Sequence, residues 1–257
     1  MNQGMRLKAG KILKKSLIFI FWIVLWQLVS MAVNKKFIFA SPLSTLDALA
    51  RLSAHIEFWR TIATSFLRIT AGFFLAFASG LFLGLLSFIK PWLHELLSPI
   101  VSLMKSIPVA SFIIIALVWL QSKYLATFIA FTIAFPMIYL NTIGGLKSAS
   151  PELLEMAKIF RFSYSGKLLH IYMPAWSKYI INALQIALGM CWKAGIAAEV
   201  IAVPDFSIGE ALYMSKIYLN TSELFAWTIV ILVVSALFEQ IFIRLFKWLL
   251  RLERKGI

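Results

Sequence analysis

Charged residues are scarce in this chain of 257 residues, where they make up 14% of the sequence. Soluble domains usually contain about 25%. Hydrophobic residues make up 61%, and the mean hydropathy is +0.87. This composition excludes a soluble globular protein. It also argues against a nucleic-acid-binding protein, because the chain has no large polar surface to present its net charge of +14 to a duplex. We therefore predict an all-α polytopic membrane protein with its basic residues mainly on one side of the bilayer.

Cysteine is almost absent, since Cys191 is the only one and lies in an apolar stretch. The chain can therefore form neither an internal disulfide nor a cysteine-based metal site. His55, His94 and His170 are too scattered to match the spacing of metal ligands. The phosphate-binding sequence G-x-x-x-x-G-K-S/T is also missing, so any ATP hydrolysis must take place on another chain. We predict that this chain is not an enzyme and binds no metal or cofactor itself.

Long hydrophobic runs are abundant, and we predict six transmembrane helices because each run is long enough to cross a bilayer. The first run follows a basic segment and contains Ser30-Met31-Ala32, a pattern that also fits a cleavable signal peptide. We favour an uncleaved helix, because the rest of the chain is itself polytopic. The predicted spans are Ser16–Val33, Thr61–Ile89, Pro99–Leu120, Tyr124–Leu146, Tyr179–Val203 and Leu224–Trp248.

Lysine and arginine are distributed unevenly between the loops. If the N-terminus is cytoplasmic, the inner segments hold 17 of the 25 and the outer segments hold six. Because cytoplasmic loops are enriched in these residues, we predict that both termini lie in the cytoplasm. We divide the chain into an N-terminal part with the first span and an outer loop (residues 1–58), a core of five spans (59–250) and a basic tail (251–257).

The outer loop between the first two spans, residues 34–60, has a helical pattern. Ser44 is followed three residues later by Asp47, which resembles a capping box. Apolar residues then recur at helical spacing, which predicts a short amphipathic helix on the outer membrane face. These apolar residues are Leu46, Leu49, Leu52 and Ile56.

The inner loop between spans four and five predicts two short helices. Ser150-Pro151-Glu152 is a typical helix start, with a serine cap, a proline in the first turn and an acid near the positive end of the helix. Ser163 begins a second helix that we expect to end before Pro174. The spacing of apolar residues predicts one stripe on the first helix, made of Leu153, Leu154, Ala157 and Phe160. Such a pair is either a compact cytoplasmic knob or an amphipathic hairpin on the inner leaflet.

Residues 155–174 read EMAKIFRFSYSGKLLHIYMP. This segment resembles the signature of the permease subunits of ATP-binding-cassette importers, which reads E-A-A, three residues, G, nine residues, then I-x-L-P. Glu155, Ala157, Ile171 and Pro174 stand at matching positions, and Arg161 stands where the family usually has glycine. The resemblance implies that residues 150–174 are a cytoplasmic coupling loop that docks on an ATPase subunit, with Glu155 positioning its first helix and Pro174 ending its second.

The resemblance extends from about Trp59 to the C-terminus and is closest to the branch that handles nitrate, sulfonates and taurine; importers of aromatic vitamin precursors share this branch. It is carried by Ser65-Phe66-Leu67-Arg68, by Ser106-Ile107-Pro108 and by Ala197-Ala198-Glu199. It implies a type I importer permease fold in the inner membrane and a path for a small solute. The implied partners are two ATPase subunits carrying ATP and Mg, a second permease copy, and an extracytoplasmic solute-binding protein that contacts outer segments such as residues 205–219.

Three ionisable residues stand out inside the predicted spans: Arg68, Lys193 and Glu199. Such residues are costly in a bilayer and mark candidate functional sites. Arg68 and Glu199 are expected at similar depths toward the outside, where they either pair and lock the bundle or form a gate of the translocation path. Lys193 either meets an anionic solute or packs against a second subunit.

Two other classes of function make different predictions from the same sequence. An ion-coupled secondary transporter or channel would use Arg68, Lys193 and Glu199 as a relay and would need no ATP. An intramembrane enzyme would need a nucleophile and a base, and the sequence offers no such pair within the spans. We therefore favour the importer subunit.

Overall fold

The computed structural model describes residues 3–33 and 38–255. Positions 35 and 36, counted above as outer basic residues, and positions 256–257 of the basic tail lie outside the described residues, as do the side chains of residues 3–13, 15 and 251–255. The regular elements of the described part are helical, with bounds α1 Gln3–Val33, α2 Pro42–Ser53, α3 Ile56–Ile89, α4 Pro91–Ser106, α5 Val109–Ala116, α6 Ser122–Lys147, α7 Pro151–Ile159, α8 Tyr164–Lys167, a π-turn Leu168–Tyr172, α9 Met173–Ala202, α10 Ile208–Ile217 and α11 Thr221–Lys255.

Among the described residues, five helical segments are long and apolar enough to cross a membrane. A sixth crossing requires α4 and α5 together, which are bent by 106° at a short break. The third predicted span, Pro99–Leu120, is therefore not one continuous helix. The reason lies at Pro108, which restricts the preceding Ile107 to an extended conformation (φ −69°, ψ 128°). The chain is a multi-pass membrane protein.

The chain divides into two compact units, Met1–Trp59 with Ala211–Val230, and Arg60–Glu210 with Ile231–Ile257. In the first unit, the Trp26 Nε1–H donates to the Ala40 carbonyl at 2.9 Å, and the Trp26 ring stacks on Phe225 at 5.7 Å. These contacts tie α1 to the start of α2 and to α11.

The outer-loop helix is present as α2, but its cap is not the predicted one. The Ser41 hydroxyl accepts the backbone N–H of Ser44 at 3.2 Å, so Ser41 and not Ser44 is the N-cap. Asp47 instead pairs with Arg51 at 3.3 Å, one turn along an exposed face. The helix buries Thr45 and Ala48, whereas the predicted apolar stripe is largely exposed.

In the second unit, α3 packs closely on α6 through glycines. Gly80 and Gly84 form a G-x-x-x-G pattern, which is typical of close helix contacts. A Cβ added at Gly80 would lie 3.0 Å from the Ile138 side chain, and one at Gly84 would lie 2.8 Å from the Thr142 Cβ. The short separation of α3 and α6 therefore depends on these two glycines.

Aromatic rings fill the contact between α3 and α11. The ring of Phe242 lies edge-on to Phe73 at 5.0 Å, and Phe246 lies edge-on to Phe77 at 5.8 Å. Phe66 contacts Phe238 at 5.4 Å in the same way. These phenylalanines recur at helical spacing in the sequence, which indicates an aromatic face on each helix. The spacing does not indicate which helices pack together.

Two adjacent glycines of α6 provide a test of close packing. A Cβ at Gly145 would lie 3.0 Å from the backbone of Trp176, whereas a Cβ at Gly144 would have only the Tyr179 ring at 4.0 Å. We expect Gly145→Ala to destabilise the protein by about 1–3 kcal/mol through overpacking. Gly144→Ala should be neutral or stabilising by up to about 1 kcal/mol through helix propensity. Thermal unfolding of the two variants checks this difference, and equal behaviour would contradict the close α6–α9 contact.

Candidate coupling loop and intramembrane ion pair

The first loop helix, α7, begins where the sequence predicts. The Ser150 hydroxyl accepts the backbone N–H of Leu153 at 3.4 Å, which caps the helix. The same hydroxyl donates a hydrogen bond to the carboxylate of Glu152. This hydrogen bond, with one from the backbone, lowers the pKa of the exposed Glu152 below its usual value. A charged Glu152 in the first turn also suits the positive end of the helix.

The predicted apolar stripe of α7 divides between an inward and an outward face. Ala157 is fully buried and packs against Ala149 and Ile171, with Leu154 partly buried beside them. The outward apolar surface is formed by Leu153, Met156, Ile159, Phe160, Phe162 and Tyr164, each more than two-fifths exposed. We call these six residues the exposed loop face. Glu155 is also exposed and makes no hydrogen bond or ion pair with any described residue.

Arg161 adopts the left-handed conformation, with φ 51°. The Phe162 N–H donates to the Ala157 carbonyl at 2.9 Å, and the Arg161 N–H donates to the Lys158 carbonyl at 3.1 Å. This pair of hydrogen bonds is the Schellman motif, whose left-handed position is usually glycine. The predicted break after α7 is therefore confirmed. Ser163 caps α8 as predicted, because its hydroxyl accepts the Gly166 N–H at 3.2 Å.

Substitutions of Arg161 should separate backbone strain from docking. A non-glycine residue in the left-handed region costs about 1–2 kcal/mol, and a β-branched residue costs more. We expect Arg161→Gly to keep or raise thermal stability, since the relieved strain offsets the entropy that glycine adds to the unfolded chain. Arg161→Val should destabilise the loop and lower the melting temperature. Equal melting temperatures for the two variants would contradict this assignment of the turn.

Pro174 does not end the second loop helix, contrary to the prediction. The chain stays helical from Tyr164 to Ala202, through the π-turn and into α9. In the π-turn, the Met173 N–H donates to the Leu168 carbonyl, five residues back. Pro174 then falls in the first turn of α9, where its missing N–H costs nothing. The candidate coupling loop is therefore continuous with a helix that is long and apolar enough to cross a membrane.

The structure brings Arg68 and Glu199 together. An Arg68 guanidinium nitrogen lies 3.9 Å from one carboxylate oxygen of Glu199, whose side chain is fully buried. The other carboxylate oxygen accepts hydrogen bonds from the Ser65 hydroxyl at 2.7 Å and from the Gly209 N–H at 3.3 Å. The carboxylate thus lies at the N-terminus of α10, where the helix dipole favours negative charge.

The same side chains hold the turn between α9 and α10, residues 203–207. The Ser65 hydroxyl accepts the Ile208 N–H at 2.8 Å, and the Arg68 guanidinium donates to the Asp205 carbonyl at 3.3 Å. The turn contains two bulky left-handed residues, Val203 (φ 46°) and Phe206 (φ 53°). Sequence reasoning missed Ser65, although its position three residues before Arg68 places both on one face of α3.

Lys193 lies apart from this cluster. Its side chain is exposed on α9 and makes no hydrogen bond or ion pair with any described residue. Asn182, eleven residues earlier, is exposed on the same helical face, and Gln185 is exposed beside it. We call these three residues the polar strip of α9, and they share their exposed side of the helix with the apolar Ile186 and Met190.

No group of three or more His, Cys, Asp and Glu side chains within residues 3–33 and 38–255 is arranged to hold a metal ion. Cys191 is buried in α9 and forms no disulfide.

Comparison with known proteins agrees with this geometry. Residues 69–255 match the family described as binding-protein-dependent transport system inner membrane component. The bicarbonate transport system permease protein CmpB of Synechococcus elongatus is 31% identical over 195 residues, which cover 76% of this chain and 70% of the relative. The putative aliphatic sulfonates transport permease protein SsuC of Escherichia coli is 28% identical over 77% and 76% of the two chains. The taurine transport system permease protein TauC of Escherichia coli is 24% identical over 84% and 80%.

The match covers most of the chain, and it includes residues 150–174 as well as Glu199 and Gly209. It confirms the resemblance to the nitrate, sulfonate and taurine branch. The chain is a transport component and not a catalytic subunit. It belongs to the family of binding-protein-dependent transport system inner membrane components, as a permease subunit of an ATP-binding-cassette importer.

Proposed function

We propose that two copies of this chain enclose a path for a small anion, driven by ATP hydrolysis in two separate ATPase subunits that carry ATP and Mg. The relatives are named for bicarbonate, sulfonates and taurine, all of which contain an acidic oxygen group. The exposed Lys193 on the polar strip of α9 supports a path for such a solute, because a cation facing lipid would be costly.

The observation that carries the proposal is the exposed loop face of α7 and α8. Ile159 is 78% exposed and Phe160 is 69% exposed, which leaves a large apolar surface that no described residue covers. Such a surface marks a protein interaction site. The buried Ala157 and Ile171 hold α7 against the start of α9. A displacement of the exposed loop face is therefore transmitted to a continuous helical segment that ends at Ala202.

The proposed orientation follows from the basic residues and from this docking surface. The ATPase subunits lie in the cytoplasm, so the coupling loop is cytoplasmic, as are both termini. The chain then lies in the inner or plasma membrane. A solute-binding protein delivers the solute on the opposite side, where the turn at residues 203–207 lies.

Arg68 and Glu199 are proposed as a lock on the outer end of the bundle and not as a solute contact. Both are engaged in holding residues 205–209, and the Glu199 carboxylate is fully buried. A buried carboxylate with three polar partners is poorly placed to meet a solute. The role of a path residue falls to Lys193.

Removal of the Lys193 charge should weaken solute uptake. A hydrogen bond to a charged group is worth about 1.5–3 kcal/mol, so we expect Lys193→Met to raise the KM for the anion by about tenfold or more. ATPase activity in the absence of solute should not change. Lys178→Met, on the same helix near its inner end, is the matched control. Unchanged uptake by Lys193→Met would remove this residue from the path.

Reconstitution tests the whole proposal. The chain is co-purified with its candidate ATPase and placed in liposomes with the candidate binding protein inside or outside. We expect ATP hydrolysis that the loaded binding protein stimulates, and solute uptake that requires ATP. Uptake driven by an ion gradient alone would instead support an ion-coupled transporter and overturn the proposal.

A further inference from the structure

The membrane-facing side of α3 and α11 carries an apolar groove. Phe66 and Phe74 of α3 and six residues of α11 between Val234 and Leu245 enclose about 390 Å³. Every lining side chain is a hydrocarbon. The volume lies within the range of ligand sites, which is about 300–1,000 Å³.

The groove is formed by rigid packing within the chain. The rings of Phe238 and Phe242 form its floor and are nearly buried, because they pack edge-on against Phe66 and Phe73 at 5.4 and 5.0 Å. Its rim is open, since Leu237, Ile241 and Leu245 are each more than half exposed. An apolar chain could therefore enter without any rearrangement of the helices.

The length of the groove corresponds to one leaflet of a bilayer. Val234 and Leu245 are eleven residues apart, which is about 16 Å along a helix that rises 1.5 Å per residue. The hydrocarbon core of a bilayer is about 30 Å thick, so half of it is about 15 Å. The groove thus spans the depth that a single acyl chain occupies.

A free cation stands at one end of the groove. Arg244 and Trp248 lie three and seven residues after Ile241 and therefore continue the groove's helical face. Both are exposed, and Arg244 makes no hydrogen bond or ion pair with any described residue. Tryptophan is enriched at the membrane interface, and an arginine there attracts anionic headgroups.

The other unpacked face of this unit is different in character. On α9, the polar Asn182, Gln185 and Lys193 are exposed among the apolar Ile186 and Met190, and this mixed face suits a solute path or a second copy better than lipid. The groove of α3 and α11 has no polar lining and ends at an unpaired cation. This charge and polarity pattern favours lipid over a protein helix as its occupant.

We propose that this groove binds one acyl chain of an anionic phospholipid, whose phosphate is held by Arg244 at the membrane interface that Trp248 marks. The assignment of this lipid to the inner leaflet rests on the proposed orientation, whereas the binding itself does not. The site stabilises the contact between α3 and α11, because the bound chain covers the exposed rim of the aromatic floor.

Native mass spectrometry of the full-length chain tests the proposal. The chain is released from mixed nanodiscs that contain phosphatidylglycerol and phosphatidylcholine in equal amounts. We expect preferential retention of phosphatidylglycerol. Arg244→Gln should reduce this retention by about fivefold, since one basic residue near an anionic surface contributes about 1 kcal/mol. Lys90→Gln removes a charge at the inner end of α3, away from the groove, and should leave retention unchanged.

A second pair of variants tests the acyl-chain part of the site. Ile241→Trp fills the groove and should reduce retention of both lipids, and Leu232→Trp, on another exposed face of α11, should not. Equal retention of the two lipids by the unsubstituted chain would overturn the proposal. So would unchanged lipid retention in both the Arg244→Gln and the Ile241→Trp variants. Efficient cross-linking between two Ile241→Cys chains in the membrane would also overturn it, because a second copy would then fill the groove.

Discussion

Replacement of both Ile159 and Phe160 by glutamate is expected to abolish association with the ATPase subunit. These side chains are the most exposed apolar residues of α7 and its C-cap. Burial of a large apolar side chain at an interface contributes about 1.5–3 kcal/mol. Loss of two such contacts therefore weakens association by about a hundredfold or more, and two buried carboxylates would weaken it further. Co-purification and binding-protein-stimulated ATP hydrolysis measure the effect.

This double substitution leaves the packing of the loop intact, which is why it is more informative than a change at the buried Ala157. The matched control is Ile159→Leu with Phe160→Leu, which keeps the surface apolar and should retain association. Ala157→Trp should also abolish coupled uptake, but through displacement of α7 from Ile171. If the double glutamate variant still binds the ATPase with native affinity, the coupling-loop assignment is wrong.

The local signals of the sequence were the most informative ones. Ser150, Pro151 and Ser163 predicted the starts of two loop helices, because a cap needs only the residues of one turn. The long apolar runs predicted the membrane crossings for the same reason, since the bilayer demands about 20 apolar residues in sequence. The pairing of Arg68 with Glu199 was one of two alternatives, and no local rule chooses between them.

The features that sequence reasoning missed depend on contacts between distant segments. Pro174 was read as a helix end, yet a π-turn places it in the first turn of α9. The sequence predicts one span over Pro99–Leu120, yet the chain bends by 106° at the break before Pro108. A proline interrupts the regular hydrogen bonding of a helix, and the packing of the surrounding residues determines the backbone geometry that results. Ser65 was overlooked because its partners are 134 and 143 residues away.

Loss of the Glu199 carboxylate is expected to cost the protein about 3–5 kcal/mol of stability, because it leaves the partly buried Arg68 charge with only the Asp205 carbonyl as a partner. Glu199→Ala also leaves the Ser65 hydroxyl and the Gly209 N–H without their acceptor. Arg68→Met should be similarly costly, since it leaves a buried carboxylate. Replacement of both, with Arg68→Met and Glu199→Leu, removes the charges together and should recover the part of the loss that an unpaired charge causes, whereas the Ser65 hydroxyl and the Gly209 N–H still lack their acceptor. Thermal unfolding of the full-length chain in nanodiscs measures the three variants.

The double-mutant cycle distinguishes two roles for Arg68 and Glu199: a lock that holds the turn at residues 203–207, and a gate that contacts the solute. In a lock, stability and uptake fall together in the single variants and recover together in the double variant, because only the hold on residues 203–207 has changed. In a gate that contacts the solute, the double variant regains stability but not uptake. Recovery of stability without uptake would therefore move Arg68 and Glu199 into the translocation path. Additive losses of stability would contradict the ion pair itself, since two charges 3.9 Å apart in a buried site must be coupled.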